Sequence, residues 1–307
     1  MTLLGSLTAT RAAHAQGPGH RLDVFVVAHA DDWQLFMGDV LVDALRHGRP
    51  VVAIITSAGD AARGSEFWHT REAGALASMQ AAQGLAGGPL SAPLCTSWRL
   101  PARPLRSPRR GTEPGVRTVR VCRGDGTSTA FLRLPDGRPD GSGFAVHGYR
   151  SLQKLAQTSL GPLAALDGTA AYTSVTDLAE TVAALVRGHE RPGMAVHVHS
   201  HDPEVLTNPL DHADHRVTGR IALEAARDLH ASATLYAGYS NVRRADNLLP
   251  EAAAWKMYCF VQYDRAMMTR HGNWSAYAEN AWGHAQYLFR TYARPAGSTG
   301  LLRHSWP

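Results

Sequence analysis

Short apolar runs alternate with segments of helical spacing over the first eighty residues of the chain. A continuous apolar run at 22–28 predicts a buried strand, and apolar positions at helical spacing over 34–47 predict a helix ending at Gly48. Residues 51–56 predict a second buried strand, and residues 66–83 predict a second helix. A strand–helix–strand unit with short connections is typical of a parallel sheet covered by helices.

This pattern is lost over residues 85–150, which are rich in Pro, Gly and Arg and show strand-like pieces only at 117–121 and 131–134. We expect them to form an insertion that covers the mouth of the sheet as a lid. The elements expected after the insertion are helices at 176–189, 214–229, 251–271 and 274–292 and strands at 194–199 and 234–238.

The alternation predicts a single α/β domain over residues 1–307. Its expected architecture is a Rossmann-like, mostly parallel sheet flanked by helices, with the inserted lid region at 85–150 and a flexible leader at 1–20. The phosphate-binding loops of nucleotide-binding proteins are absent from the sequence, so the pattern does not indicate a nucleotide site.

The net charge of +5 is unevenly distributed, because residues 91–150 carry eleven arginines and four acidic residues. A solvated arginine loop and a cationic lip for an acidic or polyphenolic substrate both explain this excess. No nucleic-acid-binding motif occurs, and no apolar stretch is long enough to cross a bilayer. We therefore expect neither a nucleic acid partner nor a transmembrane segment, and peripheral membrane contact stays open.

The three cysteines form no metal-binding knuckle, and Cys95 and Cys122 bracket the arginine-rich segment. Free thiols and a bridge between these two residues both remain open, since the compartment is not defined. Residues 3–7 and 13–15 resemble the end of a signal peptide, although the apolar stretch is short and no basic region precedes it. A cytoplasmic or membrane-associated location is favoured, and export remains open.

One imidazole and two adjacent carboxylates follow the first predicted strand, at His29, Asp31 and Asp32. An N-cap role explains one carboxylate but neither the second one nor the imidazole. Two adjacent carboxylates at a helix N-terminus repel each other unless a cation lies beside them. Residues 212–215 (HADH) carry further imidazoles and a carboxylate far downstream. Together, these side chains provide the donor set of a hydrolytic zinc site with one open position for water.

A third histidine group occurs in the strand predicted at 194–199 and just beyond it. Alternating spacing places His197, His199 and His201 on one face of that strand. A catalytic zinc needs only three protein ligands. We therefore expect one of these histidines to be a hydrogen-bonded core residue and the others to lie near the rim of the site.

Four sequence motifs, within residues 22–240, resemble those of the PIG-L/LmbE-like zinc-dependent N-acetylglucosamine deacetylases. They are residues 27–32 (VAHADD), 56–60 (TSAGD), 71–72 (RE) and 212–215 (HADH). The family's first motif is Ala-His-Pro-Asp-Asp-Glu, and its late motif is His-Pro-Asp-His. Ala30 stands here where the family has Pro, and Trp33 where it has Glu. The extended run at 29–38 resembles the deacetylases of teicoplanin-type glycopeptide antibiotics.

The resemblance implies one Zn²⁺ per chain and a set of catalytic roles. The implied metal ligands are His29, Asp32 and His215. Asp31 would be the general base, and His212 would stabilise the oxyanion or protonate the leaving amine. Asp214 would orient His212 or Asp31. Trp33, Arg71 and Ser57 are candidate substrate contacts, and core packing is the alternative for Trp33.

The resemblance also implies a glycosylated peptide or aminosugar substrate. The expected reaction removes the N-acetyl group from an N-acetylglucosaminyl moiety of a glycopeptide antibiotic pseudoaglycone. A deacetylase or amidase acting on an aminosugar–inositol compound of low-molecular-weight thiol biosynthesis is the alternative within the same chemistry. A metal-holding binding module without turnover is the alternative from a different class of protein.

Overall fold

A computed structural model describes residues 21–101, 116–157, 161–271, 284–300 and 302–303. The leader predicted at 1–20 lies outside the described residues, as do residues 274–283 of the last predicted helix. Within the described ranges, no helix is long and apolar enough to span a membrane.

A nine-stranded sheet forms the centre of the described structure. In spatial order, its strands are β11 (Leu302–Arg303), β10 (Tyr292–Pro295), β9 (Ser232–Tyr236), β8 (Ala195–His201), β1 (Arg21–Val27), β2 (Val51–Ser57), β5 (Thr127–Leu134), β4 (Val116–Gly124) and β3 (Leu94–Pro101). A separate two-stranded hairpin contains β6 (Leu163–Ala164) and β7 (Ala171–Tyr172).

The five central strands are parallel and are flanked by antiparallel strands at both edges. β1 pairs with β2 on one side and with β8 on the other, so the chain order of the strands reverses between β1 and β8. Ligands of open α/β sheets bind at such a reversal, beyond the carboxyl ends of the strands. The expected mostly parallel, Rossmann-like sheet flanked by helices is confirmed.

Helices cover both faces of the sheet. They are α1 (Asp32–Arg46), α2 (Ser65–Leu85), α3 (Leu152–Ala156), α4 (Val175–Arg187), α5 (Ala213–Asp228) and α6 (Pro250–His271). Successive side chains of a strand point to opposite faces. Val24 and Val26 of β1 therefore pack in the core beneath α4 and α5. Phe25 and Val27 pack in the second core, with α1, α2 and α6.

The segment predicted as a lid differs from the structure. β3, β4 and β5 extend the main sheet, and β5 is a parallel neighbour of β2. Residues 127–129 (TST) are polar although they are buried, so the first half of the strand has no apolar signature. The loop at 135–150 reaches the ends of the central strands, where the Ala213 amide donates to the Pro139 carbonyl over 2.9 Å.

The structure also bears on the expectations for the cysteines and for the last predicted helix. Cys95 and Cys122 lie opposite each other on β3 and β4 and form a disulfide. The helix predicted at 274–292 is not found over its described part, where a 3₁₀ turn at Ala285–Tyr287 precedes β10. Tyr292, the last residue of the predicted helix, begins β10, which pairs with β9 and β11.

Candidate metal centre

The two predicted motifs meet where β1 and β8 end. His29 lies in the turn between β1 and α1, and its amide donates to Asp32 Oδ2 over 2.6 Å, which folds the two side chains towards the same point. His215 lies in the first turn of α5, which follows the long loop after β8. The structure therefore brings His29, Asp32 and His215 together, and all three are buried.

Donor atoms of these three side chains converge at this point. His29 Nδ1 lies 3.3 Å from His215 Nε2, and His215 Nε2 lies 3.2 Å from Asp32 Oδ1. His29 Nδ1 also lies 3.4 Å from Asp32 Oδ2. Tetrahedral ligands bonded to zinc at about 2.0–2.1 Å are about 3.3–3.4 Å apart. The spacing and the chemistry of the donors therefore fit Zn²⁺, and a site of N and O donors also accepts other divalent transition metals.

The electrostatics of the cluster favour a cation. Burial opposes protonation of His29, but Asp32, Asp214 and Asp136 together raise the pKa of His29 well above its usual value. Burial also opposes protonation of His215, whereas Asp211 and Asp32 raise its pKa to about 9. Burial opposes ionisation of Asp32, yet His215 and His29 hold the Asp32 pKa well below its usual range. A bound metal ion would replace protons on these rings.

His29 and His215 each have a carboxylate near the ring nitrogen that faces away from the cluster. Asp211 Oδ1 lies 2.9 Å from His215 Nδ1, and Asp214 Oδ2 lies 3.4 Å from His29 Nε2. Carboxylates in this position orient the ring and select its tautomer in metal sites. Asp214 was expected to orient His212 or Asp31; its amide donates to His212 Nδ1, and its carboxylate faces His29. Asp211 was missed, although its position four residues before His215 was a signal in the sequence.

His212 is the N-cap residue of α5. Its Nδ1 accepts a hydrogen bond from the Asp214 amide over 3.1 Å, so the neutral ring carries its proton on Nε2. That nitrogen lies 4.0 Å from Asp136 Oδ1, and the ring packs edge-on against His29 with centroids 4.7 Å apart. Burial and the neighbouring His29 together lower the pKa of His212 to about 4.

Asp136 is a second residue that sequence reasoning missed. It joins His29, His212 and Asp214 in a group whose donor atoms all lie within 4.8 Å of one another. The loop after β5 carries Asp136 to the site because the Gly137 amide donates to Asp214 Oδ2 over 2.8 Å. The available signal was a Pro-Asp-Gly turn at 135–137, directly after a predicted strand.

Asp31 is held by an arginine from α2. Arg71 Nη2 donates to Asp31 Oδ1 over 2.6 Å, and both side chains are largely buried. Gly59, whose φ is +56°, leaves room for this arginine, since a Cβ there would lie 2.9 Å from Arg71 Nε. Arg71 was a candidate substrate contact, and its observed partner is the candidate general base.

The other two candidate substrate contacts are buried. Trp33 has no exposed surface and packs in the core with α1 and α6, which favours the packing alternative. Ser57 is 1% exposed, and its Oγ accepts a hydrogen bond from the Gly59 amide over 3.0 Å. Neither side chain presents a free surface to a substrate within the described structure.

The histidines of β8 take different positions. His199 is a core residue whose two ring nitrogens contact Asp23 and Tyr236, as expected for one member of the group. His201 is fully buried behind the site and not at its rim, with Nε2 3.1 Å from Asp32 Oδ2. His197 bonds to hydroxyls of β9. The rim expectation is therefore wrong for both residues, because His201 is buried against Asp32 and His197 pairs with Asp23 near the start of β1, away from the site.

Comparison with known proteins gives structural likeness only. No protein-family model and no curated protein matches the chain. A deacetylase of the teicoplanin biosynthetic pathway is 14% identical over 82% of this chain and 85% of its own, with a TM-score of 0.45. The A40926 pseudoaglycone deacetylase is 14% identical over 94% and 99%, also with a TM-score of 0.45. The N,N'-diacetylchitobiose deacetylase from Pyrococcus horikoshii is 12% identical over 85% and 74%, again with a TM-score of 0.45. At these values the functional argument rests on the chain's own residues.

Proposed function

We propose that the protein is a zinc-dependent N-deacetylase that hydrolyses the acetamide of an N-acetylglucosaminyl group, releasing acetate and a free amine. The observation that carries the proposal is the convergence of His29, Asp32 and His215 at tetrahedral spacing. A further carboxylate, Asp31, precedes the ligand Asp32 directly and is left over for proton transfer. Hydrolytic zinc sites combine these two features, three protein ligands and a carboxylate base.

A zinc ion bound at this site would polarise the acetamide carbonyl and lower the pKa of water to about 7. Asp31 accepts the proton from the attacking water. Its carboxylate is fixed for this step by the 2.6 Å contact with Arg71, which restricts the rotation of the Asp31 side chain. Position matters because a general base acts only within hydrogen-bond reach of the proton that it abstracts.

His212 supplies the second catalytic group. Because its Nδ1 accepts from the Asp214 amide, its Nε2–H is the donor that faces the site. A fixed donor of this kind stabilises the charge that develops on the carbonyl oxygen in the transition state. The nearby Asp136 carboxylate, 4.0 Å from Nε2, favours this orientation of the ring. The proton that Asp31 accepts is finally delivered to the leaving amine nitrogen, so the reaction needs no further reactant besides water.

For the substrate, we propose a glycopeptide pseudoaglycone that carries an N-acetylglucosaminyl group. The support is the resemblance of residues 29–38 to the deacetylases that act on such compounds. A small aminosugar–inositol compound is the competing substrate, and the same assay separates the two. Turnover of the small compound with no turnover of the pseudoaglycone would contradict this part of the proposal.

The test is mass spectrometry of candidate substrates after incubation with the zinc-loaded protein. We expect the loss of one acetyl group and release of acetate, abolished by a chelator and restored by zinc. Asp31→Asn is expected to bind zinc normally and to lower kcat by about 10²–10⁴-fold. Asp228→Asn is the matched control, because Asp228 lies on the surface and pairs with the exposed Arg187.

Two results would contradict the proposal. Wild-type turnover by Asp31→Asn would remove the assigned general base. Stoichiometric zinc binding without acetate release from any N-acetylglucosaminyl compound would indicate a binding module without catalysis.

A further inference from the structure

Asp211 is a buried carboxylate that the proposed reaction does not use. Only 4% of the residue is exposed, and three groups surround its two oxygens. Oδ1 contacts His215 Nδ1 at 2.9 Å and accepts from the Tyr239 amide at 3.0 Å. Oδ2 accepts from Asn208 Nδ2 at 2.6 Å. Both oxygens of the carboxylate are therefore fixed, and one of them points at a metal-ligand ring.

The surroundings of Asp211 leave no freedom to its side chain. Asn208 is fully buried, and its Oδ1 accepts from the Gly238 amide at 3.2 Å and from Ser240 Oγ at 2.7 Å. A Cβ at Gly238 would overlap the Asp211 carboxylate. Asn208, in the loop after β8, and Gly238, in the turn after β9, thus enclose the Asp211 side chain and fix its position.

The contact with His215 has a consequence for the metal site. An ionised carboxylate has no proton to donate, so His215 Nδ1 donates the hydrogen bond to Asp211. In the neutral ring, Nε2 is then a free acceptor, and Nε2 is the atom that faces His29 and Asp32. His201 stacks on the His215 ring with centroids 4.1 Å apart and planes at 8°, which restricts the ring further.

We propose that Asp211 is the positioning residue of this site: held by Asn208 and by the close approach of Gly238, it fixes the tautomer and orientation of His215 and thereby sets the affinity for the metal. This inference rests on the metal site of the proposed function. Outer carboxylates of this kind change metal affinity by about 10–100-fold in other sites.

The test measures zinc dissociation constants by competition with a chromophoric chelator. Asp211→Asn keeps the shape of the side chain and removes its charge, and Asp211→Ala removes the contact entirely. We expect zinc to bind about 10–100-fold more weakly to both variants, and the visible spectrum of the cobalt-loaded protein to change. Asp228→Asn, with its exposed carboxylate, is the control and should bind zinc as the wild type does.

Gly238→Ala approaches the same contact from the other side. The added methyl group displaces the Asp211 carboxylate, so we expect weaker zinc binding in the wild-type background. In the Asp211→Ala background, the methyl group has room, and we expect no further loss of affinity. Such non-additivity is the signature of two residues that act through one contact.

A purely structural role for Asp211 predicts a different pattern. The metal-free variants would unfold at lower temperature, while folded Asp211→Asn would bind zinc as tightly as the wild type with an unchanged cobalt spectrum. That result, or an equal effect of Gly238→Ala in both backgrounds, would overturn the inference. If the wild type binds zinc but releases no acetate, only the proposed function fails. If the wild type binds no zinc, both fail.

Discussion

The buried pair of Asp31 and Arg71 gives a quantitative prediction. The two side chains are 7% and 12% exposed and meet at 2.6 Å. Arg71→Met would keep most of the apolar stem of the arginine and remove its charge, leaving Asp31 buried without its partner. Asp31→Asn would leave the guanidinium buried instead. The double variant removes both charges, so no unpaired charge remains buried.

Removing one partner of a buried ion pair costs about 3–5 kcal/mol, because an uncompensated charge remains. We expect the lower end here, about 3 kcal/mol for Arg71→Met, since both side chains keep some exposure. In a protein of 307 residues, that corresponds to a fall in Tm of about 5 °C. The double variant should be less destabilised than the sum of the single variants by at least about 1 kcal/mol.

The assay is urea unfolding in the presence of a chelator, so that metal binding does not contribute to the measured stability. The exposed pair of Arg187 and Asp228, with side chains 48% and 50% exposed, provides the control cycle, and its coupling should be near zero. With zinc, Arg71→Met should lower kcat by about 10²-fold, because Asp31 is no longer held in position. A coupling energy between Arg71 and Asp31 that is no larger than that of the surface pair would refute the reasoning.

Three further outcomes are expected. Burial lowers the pKa of His197 from 6.5 to about 3, so between these pH values the unfolded chain binds a proton that the folded chain does not, and the free energy of unfolding falls as the pH drops from 6.5 towards 3. Between pH 7.5 and 5, the free energy of unfolding of His197→Gln, measured in urea, should therefore fall by about 1–2 kcal/mol less than that of the wild type. Equal falls would contradict this prediction. Lys256 Nζ is buried and donates to two carbonyls and to Thr291 Oγ1. Lys256→Met should lower the free energy of unfolding by about 2 kcal/mol in thermal unfolding, whereas the control Lys154→Met should change it little. Zinc at about 100 times its Kd should stabilise the wild type by about 2.7 kcal/mol and leave His215→Ala unchanged, and a metal effect on both would argue against the assigned ligand.

The central strands and helices were predictable because their apolar positions have the period of their secondary structure. β1, α1 and β2 were expected within one or two residues of their observed bounds, and their order defined the parallel sheet. β5 was not recognised as a central strand, since residues 127–129 are polar and only their pairing with β2 buries them. The pattern of apolar and polar residues within one segment does not determine which strand that segment pairs with.

The site shows the same division between local and long-range information. His29, Asp32 and His215 were predictable because their motifs are contiguous in the sequence and chemically unusual. The partners of these residues were not. Asp136 reaches the site through a loop, and the choice of Asp214 to face His29 depends on the geometry with which α5 begins. Such contacts follow from how the elements pack, which no single segment specifies.

Zinc stoichiometry of the purified protein, measured with ligand and control variants, tests the central claim most directly. The account predicts one zinc per chain for the wild type and for His197→Ala, whose histidine lies on β8 and bonds to β9 hydroxyls. It predicts loss of that zinc in His29→Ala, Asp32→Ala and His215→Ala, each of which should remain folded. A His215→Ala protein that retains one tightly bound zinc per chain would contradict the assigned metal centre.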